Sequence, residues 1–169
     1  LFDLVLTVRL GDQILDTVTT YFGMRKIAVR NGQVLLNNAP YVQKLVLDQG
    51  YWPESLLTPP SDDAIRDDIE LAKQFGFNGA RKHQKAEDPR FAYWADRLGF
   101  LVWTEMPSTY RFSENGMMAT IREWTDIIRR DYNHPSIVAW VPLNESWGVW
   151  NILSDERMKN FSVALYRLT

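Results

Sequence analysis

Apolar and polar positions along this chain follow two rhythms, and the change between them falls at about residue 42. Before it the rhythm is alternation. Leu4, Leu6, Val8 and Leu10 point one way, Gly11-Asp12 gives a turn signal, and Ile14, Val18 and Tyr21-Phe22 continue the β character. Residues 1–29 therefore read as a hairpin from an all-β sandwich domain, because two strands alone do not make a stable sandwich. Residues 30–42 complete a short lead-in hairpin: Ile27–Arg30, a turn at Asn31-Gly32, Val34–Leu36, and Asn37–Pro40 ending it.

From residue 43 to 169 short apolar runs alternate with amphipathic stretches. Val42–Leu47 precedes a helix capped at Ser61-Asp62-Asp63, with Ile65, Ile69 and Ala72 on one face and Gly76 as its stop. Phe77–Ala80 precedes a helix opened by Asp88-Pro89, carrying Phe91, Trp94, Ala95 and Leu98, and closed by Gly99. Phe100–Thr104 precedes a longer helix with Met117, Ile121, Trp124 and Ile128, which Asn133-His134-Pro135 ends. Ile137–Leu143 precedes a last helix opened by Ser154-Asp155-Glu156, with Met158, Phe161, Leu165 and Leu168 on one face. Strands without alternation, separated by such helices, predict a parallel sheet covered by helices. The repeat of roughly 30 residues suits an α/β fold, the first half of a (β/α)8 TIM barrel of about 250 residues. The competing architecture is a complete four-stranded doubly wound domain. It would carry a Gly-rich phosphate loop after its first strand, but Asp48-Gln49-Gly50-Tyr51-Trp52-Pro53 has no such pattern.

Composition narrows the chemistry. A net charge of -2 gives no electrostatic footprint for nucleic acid or a membrane surface. There are no cysteines, which excludes disulfides, thiolate metal sites and a cysteine nucleophile. Only His83 and His134 are present, so a histidine-rich metal centre is excluded, and no cofactor is expected. Leu1 opens in mid-strand, so the natural N-terminus is expected to lie outside this sequence, and the compartment is not legible. The Phe91/Trp94 and Trp124/Ile128 stripes are expected in the core and Arg129-Arg130 at a solvated helix end; Trp103 and Trp140 suit core or pocket wall equally.

In a barrel of this kind, chemistry is built where strands end. The four strands end at Asp48-Gln49, Arg81-Lys82-His83, Glu105 and Asn144-Glu145. Paired carboxylates are what glycoside hydrolysis requires: one acid protonates the leaving oxygen, and a second carboxylate attacks the anomeric carbon or activates water. Burial near tryptophan would keep a glutamate protonated for the acid role, and a neighbouring amide can hold a sugar hydroxyl. That gives Glu145, Asn144 and Trp147 separate tasks. Asp48, Arg81, Glu105 and Glu145 are expected to converge in one pocket, with Trp147 flanking Glu145. A non-catalytic carbohydrate-binding or structural α/β module is the alternative.

The stretch RRDYNHPSIVAWVPLNESWG, Arg129–Gly148, resembles the signature of glycoside hydrolase family 2, which includes β-galactosidases, β-glucuronidases and β-mannosidases. YFGMRKI (Tyr21–Ile27) resembles the last strand of the family's immunoglobulin-like domain, and NGQVLLNNAP (Asn31–Pro40) its lead-in hairpin, with Asn38 where Gly is usual. DDIELAKQFGFNGARKHQ (Asp67–Gln84) and YWADRLGFLVWTEMP (Tyr93–Pro107) resemble successive helix–strand units. The resemblance implies that Glu145 is the general acid/base of a retaining mechanism, that Asn144 binds the sugar 2-hydroxyl, that Arg81 supports the nucleophile and that Glu105 lines the sugar pocket. His83 comes one residue earlier than the family's usual histidine, and Pro107 stands where some β-galactosidases place a metal-binding histidine, so no metal site is expected. The family's nucleophile comes from the seventh barrel strand. This chain is accordingly expected to be part of an enzyme, inactive alone, acting on a carbohydrate, and able to self-associate through its half-barrel edges. Glu105 is a conceivable substitute, because strands lie about 4.8 Å apart and retaining carboxyls about 5–5.5 Å apart. Family precedent disfavours it.

Overall fold

The computed structural model describes residues 1–169. They divide into two compact units, one of Leu1–Val42 with Asn133–Pro135, the other of Gln43–Tyr132 with Ser136–Thr169. The first unit holds two small antiparallel sheets. Strand β1 (Phe2–Leu10) pairs with β2 (Gln13–Phe22), with a bulge at Val8/Arg9. Strands β3 (Ile27–Arg30), β4 (Gln33–Leu36) and β5 (Ala39–Pro40) form a three-stranded meander. Asn37–Pro40 thus does more than end a hairpin. Asn37 and Asn38 both adopt positive φ, 52° and 68°, which makes a second tight turn and returns Ala39-Pro40 along Leu35-Leu36. Asparagine tolerates this conformation better than other residues with a side chain, so Asn38 does the work of a glycine here.

The second unit is a partial TIM barrel. Strands β6 (Leu45–Asp48), β7 (Gly79–Lys82), β8 (Leu101–Glu105) and β9 (Ile137–Val141) run parallel in that order. Helices α1 (Asp62–Gln74), α2 (Pro89–Leu98) and α3 (Glu114–Asp131) connect them, and α4 (Glu156–Leu168) follows β9. Each helix starts on a side-chain cap. Ser61, Asp88, Ser113 and Asp155 accept from the backbone N–H of Ala64, Arg90, Gly116 and Arg157. None of the helices is long and apolar enough to cross a membrane.

Alternation along the strands gives the sheet two faces. Ala80, Val102 and Ile137 pack with Ile65 and Ile69 of α1 and Phe91 and Ala95 of α2, forming the main core. Trp140 joins the same layer and meets buried Trp124 of α3 edge to face at 5.9 Å. Trp103 lies on the opposite face, in register with Arg81 and Leu47, and donates its indole N–H to Gln43. Gly79 is required by packing: a Cβ there would collide with the Leu101 carbonyl of the neighbouring strand and with the Leu45 side chain. Arg130 is more than a solvated helix end, because it pairs with Asp131, itself 3% exposed, and donates to the Glu87 carbonyl.

The α4 cap carries a pH dependence. The Arg157 guanidinium holds the Asp155 carboxyl at about 2, well below its usual value. A depressed carboxyl contributes stability that is present above the unfolded pKa, about 3.9, and lost as pH falls through the folded one. Amide exchange in the first turn of α4 should therefore accelerate as pH falls from about 4 toward 2, once the intrinsic rate is corrected for. Asp155→Asn should keep the cap and remove that dependence; an unchanged profile in the variant would refute the assignment.

Candidate active site

The ends of β7, β8 and β9 bring a connected set of polar side chains to one rim. Arg81 projects from the face shared with Trp103, and Glu105, two residues beyond Trp103, projects the same way. Arg81 Nε donates to Glu105 Oε2 at 2.7 Å, and its Nη2 donates to Asn144 Oδ1, also at 2.7 Å. One planar guanidinium thus ties the end of β8 to the turn after β9. Glu105 is fully buried, and its other oxygen accepts the backbone N–H of Gln84 at 2.9 Å. His83 Nε2 lies 3.9 Å from Glu105 Oε1, and its Nδ1 is 2.8 Å from the Gln49 amide.

Asp48 does not join this set. It is in register with Lys82, and both point to the helix side of the sheet. Lys82, 2% exposed, contacts Asp48 Oδ2 at 2.5 Å and Glu87 Oε2 at 2.7 Å, and sits 4.2 Å from the Phe91 ring centroid. Lys85 adds a second cation, 3.0 Å from Glu87, and donates to the Gly50 and Leu57 carbonyls. The adjacent cations Arg81 and Lys82 therefore serve different faces, each with its own carboxylates. Period-two alternation already separates Asp48 and Lys82 from Arg81, and that signal identifies Lys82 as the anchor of the rear network.

Glu145 sits in the turn after β9 with φ of +52°, a left-handed conformation that a branchless glycine would adopt more readily. It is exposed, so the burial expected for it is not supplied within this chain. Trp147 meets Trp150 edge to face at 4.5 Å and Tyr110 at 6.1 Å. Gly148 lets this turn close on the loop after β8: a Cβ there would lie 2.8 Å from both the carbonyl and hydroxyl oxygens of Thr109. Gln84 carries no sequence cue as a partner of Glu105, because the contact is made by its backbone.

Beside this rim a cleft of about 650 Å³ runs between the loops after β6, β7 and β8 and the side of α3. His83 and Gln84 form part of its wall.

The sequence model described as glycosyl hydrolases family 2, TIM barrel domain, matches residues 27–165. A β-galactosidase of Photobacterium profundum is 32% identical over 141 residues, covering 78% of this chain and 14% of that protein. A β-glucuronidase of Streptococcus agalactiae is 29% identical over 154 residues, covering 79% of this chain and 25% of that protein. The solved apo β-glucuronidase of Ruminococcus gnavus shares the fold, with a TM-score of 0.85 at 21% identity over 98% of this chain and 28% of that one. The chain thus spans between about one-seventh and one-quarter of these curated relatives.

Proposed function

The chain belongs to glycosyl hydrolase family 2, and from that premise we propose that it carries the acid/base side of a retaining β-glycosidase active site of β-galactosidase-like or β-glucuronidase-like type. The observation that carries the reading is the Arg81 bridge between Glu105 and Asn144, two 2.7 Å contacts at the carboxyl ends of parallel strands. It supports a preorganised sugar-binding surface in which Asn144 meets the 2-hydroxyl, and Glu105, held in place by Arg81 and the Gln84 N–H, accepts from a further hydroxyl. Glu145, next to Asn144, protonates the leaving oxygen and later activates water. The nucleophile comes from outside residues 1–169, on the strand-seven side of the barrel, which also covers Glu145. Residues 1–29 are the end of an immunoglobulin-like domain and 30–42 its lead-in.

The test is titration of this chain with methyl β-D-galactoside and methyl β-D-glucuronide, followed by NMR. One of the two should shift the Arg81 side-chain and Asn144 amide signals; no response to either sugar, with the chain folded, would remove the reading.

Self-association of the isolated chain belongs to the same proposal. β6 and β9 each have a strand neighbour on one side only. Near the β6 edge Leu47, Leu71 and Phe75 are 58%, 51% and 76% exposed. Unpaired edges next to apolar surface favour pairing between copies. Light scattering should report a dimer or larger species, and a monomer across micromolar to near-millimolar concentration would contradict it.

A further inference from the structure

We infer that Lys85 is a positioning residue: it fastens the loop after β6 and thereby sets Gln49 and, through Gln49, the orientation of His83 at the rim. The inference adds to the functional reading above a route by which the network behind the sheet reaches the front.

The fastening is the first observation. Lys85 Nζ donates to the Gly50 carbonyl at 2.8 Å and to the Leu57 carbonyl at 2.7 Å, so one ammonium ties the two ends of the loop together. Between those ends the loop closes on itself, with Trp52 and Leu56 exchanging backbone hydrogen bonds at 2.7 and 2.9 Å. Hydrogen bonds from a charged donor are roughly twice as strong as neutral ones. The Glu87 carboxylate, 3.0 Å from the same ammonium, holds it in place.

The second observation is that these contacts form a closed ring through Gly50. The Gly50 N–H donates to Asp48 Oδ1 at 2.7 Å. The other Asp48 oxygen meets Lys82, Lys82 meets one oxygen of Glu87, the second oxygen of Glu87 meets Lys85, and Lys85 returns to the Gly50 carbonyl. Both polar backbone groups of Gly50 are thus engaged in one ring. Gly50 is buried and has φ of +64°, and a Cβ there would collide with the Lys85 ammonium and the Glu87 carboxylate. The backbone at this point has no slack.

The third observation links the ring to the rim. Gln49 stands between Asp48 and Gly50, so both of its chain neighbours belong to the ring. Its side-chain amide nitrogen lies 2.8 Å from His83 Nδ1. The His83 backbone N–H donates to the Asp48 carbonyl at 2.8 Å. His83 is therefore held at its backbone by one ring member and at its imidazole by a residue whose backbone the ring fixes. The opposite ring nitrogen, Nε2, faces Glu105 Oε1 at 3.9 Å. Loop segments sit at the low end of local stability unless something ties them down. With Lys85 released, the loop loses the bridge between its ends, Gln49 gains freedom, and the imidazole is held on the Glu105 side alone.

The experiment follows the imidazole signals of this chain by NMR. Its two histidines are His83 and His134, and His134 serves as the internal reference. Lys85→Met should move the His83 ring signals and leave those of His134 in place. It should also speed amide exchange at Trp52 and Leu56 by roughly tenfold or more relative to the amides of β8. Gln49→Ala should move His83 without speeding exchange in the loop. In the double variant Lys85→Met should add nothing to the His83 shift that Gln49→Ala already produces. Should Lys85→Met fail to fold, Lys85→Gln gives the same comparison, because its shorter, uncharged head keeps a polar group near Glu87 but does not bridge both carbonyls. His83 signals that stay in place in a folded Lys85 variant, even one with a lower melting temperature, overturn the inference, as does a Lys85 effect that persists in full after Gln49→Ala. No sugar enters these measurements, so the Arg81–Glu105–Asn144 reading stands or falls separately.

Discussion

Glu145→Gln in the full-length enzyme should slow hydrolysis of an alkyl or sugar β-glycoside by roughly 100- to 10,000-fold, the usual contribution of general acid catalysis. Glutamine keeps the size of the side chain and can keep the backbone turn, but it cannot give up a proton. Leaving groups that need little protonation provide the internal control. With 4-nitrophenyl or dinitrophenyl glycosides the glycosylation step should be affected far less, and, on the proposed acid/base role, added azide should accelerate turnover by replacing a water that needs a general base. The variant must also bind substrate about as well as the parent, because Arg81, Glu105 and Asn144 are untouched. Full activity of Glu145→Gln on a disaccharide would eliminate Glu145 as the acid/base and shift attention to Glu105.

Lys82→Met should be the most damaging of the conservative-sized substitutions on the rear face of the sheet. The methionine fills the same space against Phe91 but removes the cation between Asp48 and Glu87. Breaking a buried pair from one side costs about 3–5 kcal/mol, mostly from the charges left behind. For a chain of this size that corresponds to a melting temperature lower by roughly 10 °C. The acidic group left behind includes Asp68, whose carboxyl is already raised by burial and by nearby Asp48, with Lys82 acting in the opposite direction. Without Lys82 the Asp68 carboxyl loses a cation that lowers it and is raised further in the folded state. A raised carboxyl destabilises at pH above its folded pKa, and the cost disappears as pH falls toward the unfolded value of about 4. The difference between variant and parent should therefore shrink on acidification. Adding Asp48→Asn and Glu87→Gln to Lys82→Met should recover much of the loss at neutral pH. A variant that melts with the parent at pH 7 would mean that the three-residue contact contributes nothing.

The order of elements was readable because three of the four helices advertise their start. Ser61, Asp88-Pro89 and Asp155 are caps that satisfy backbone donors, and few other residues can do so; α3 was read from its apolar stripe alone, and its cap, Ser113, emerged only in the structure. Strand β7 was harder to place. Apolar content points to Phe77–Ala80, whereas the paired segment is Gly79–Lys82. Charged Arg81 and Lys82 look like loop residues until each is given a counterion on its own face of the sheet. The same alternation explains the rim. Proximity to a strand end suggested that Asp48 belonged with Arg81 and Glu105, but an odd difference in register sends it to the other side. Arg81 was read from the sequence beside carboxylates, and it lies against one of them, Glu105. The turn after β9 was legible as chemistry but not as shape. Neither the positive φ of Glu145 nor the contact of Gly148 with Thr109 has a local sequence cue beyond the glycine itself.

The backbone of Glu145 has a bearing on how this protein can be improved or can decay. A left-handed conformation costs a residue with a Cβ about 1–2 kcal/mol relative to glycine, so the carboxylate stands where the chain's own folding preference would put something else. A laboratory screen that rewards heat resistance alone should drift toward Glu145→Gly or Glu145→Asn and select against hydrolysis while doing so. On the acid/base role proposed for Glu145, lineages released from selection for hydrolysis would meet the same slope. Position 145 is therefore a place where gain in thermal tolerance and loss of turnover are expected to arrive in a single step.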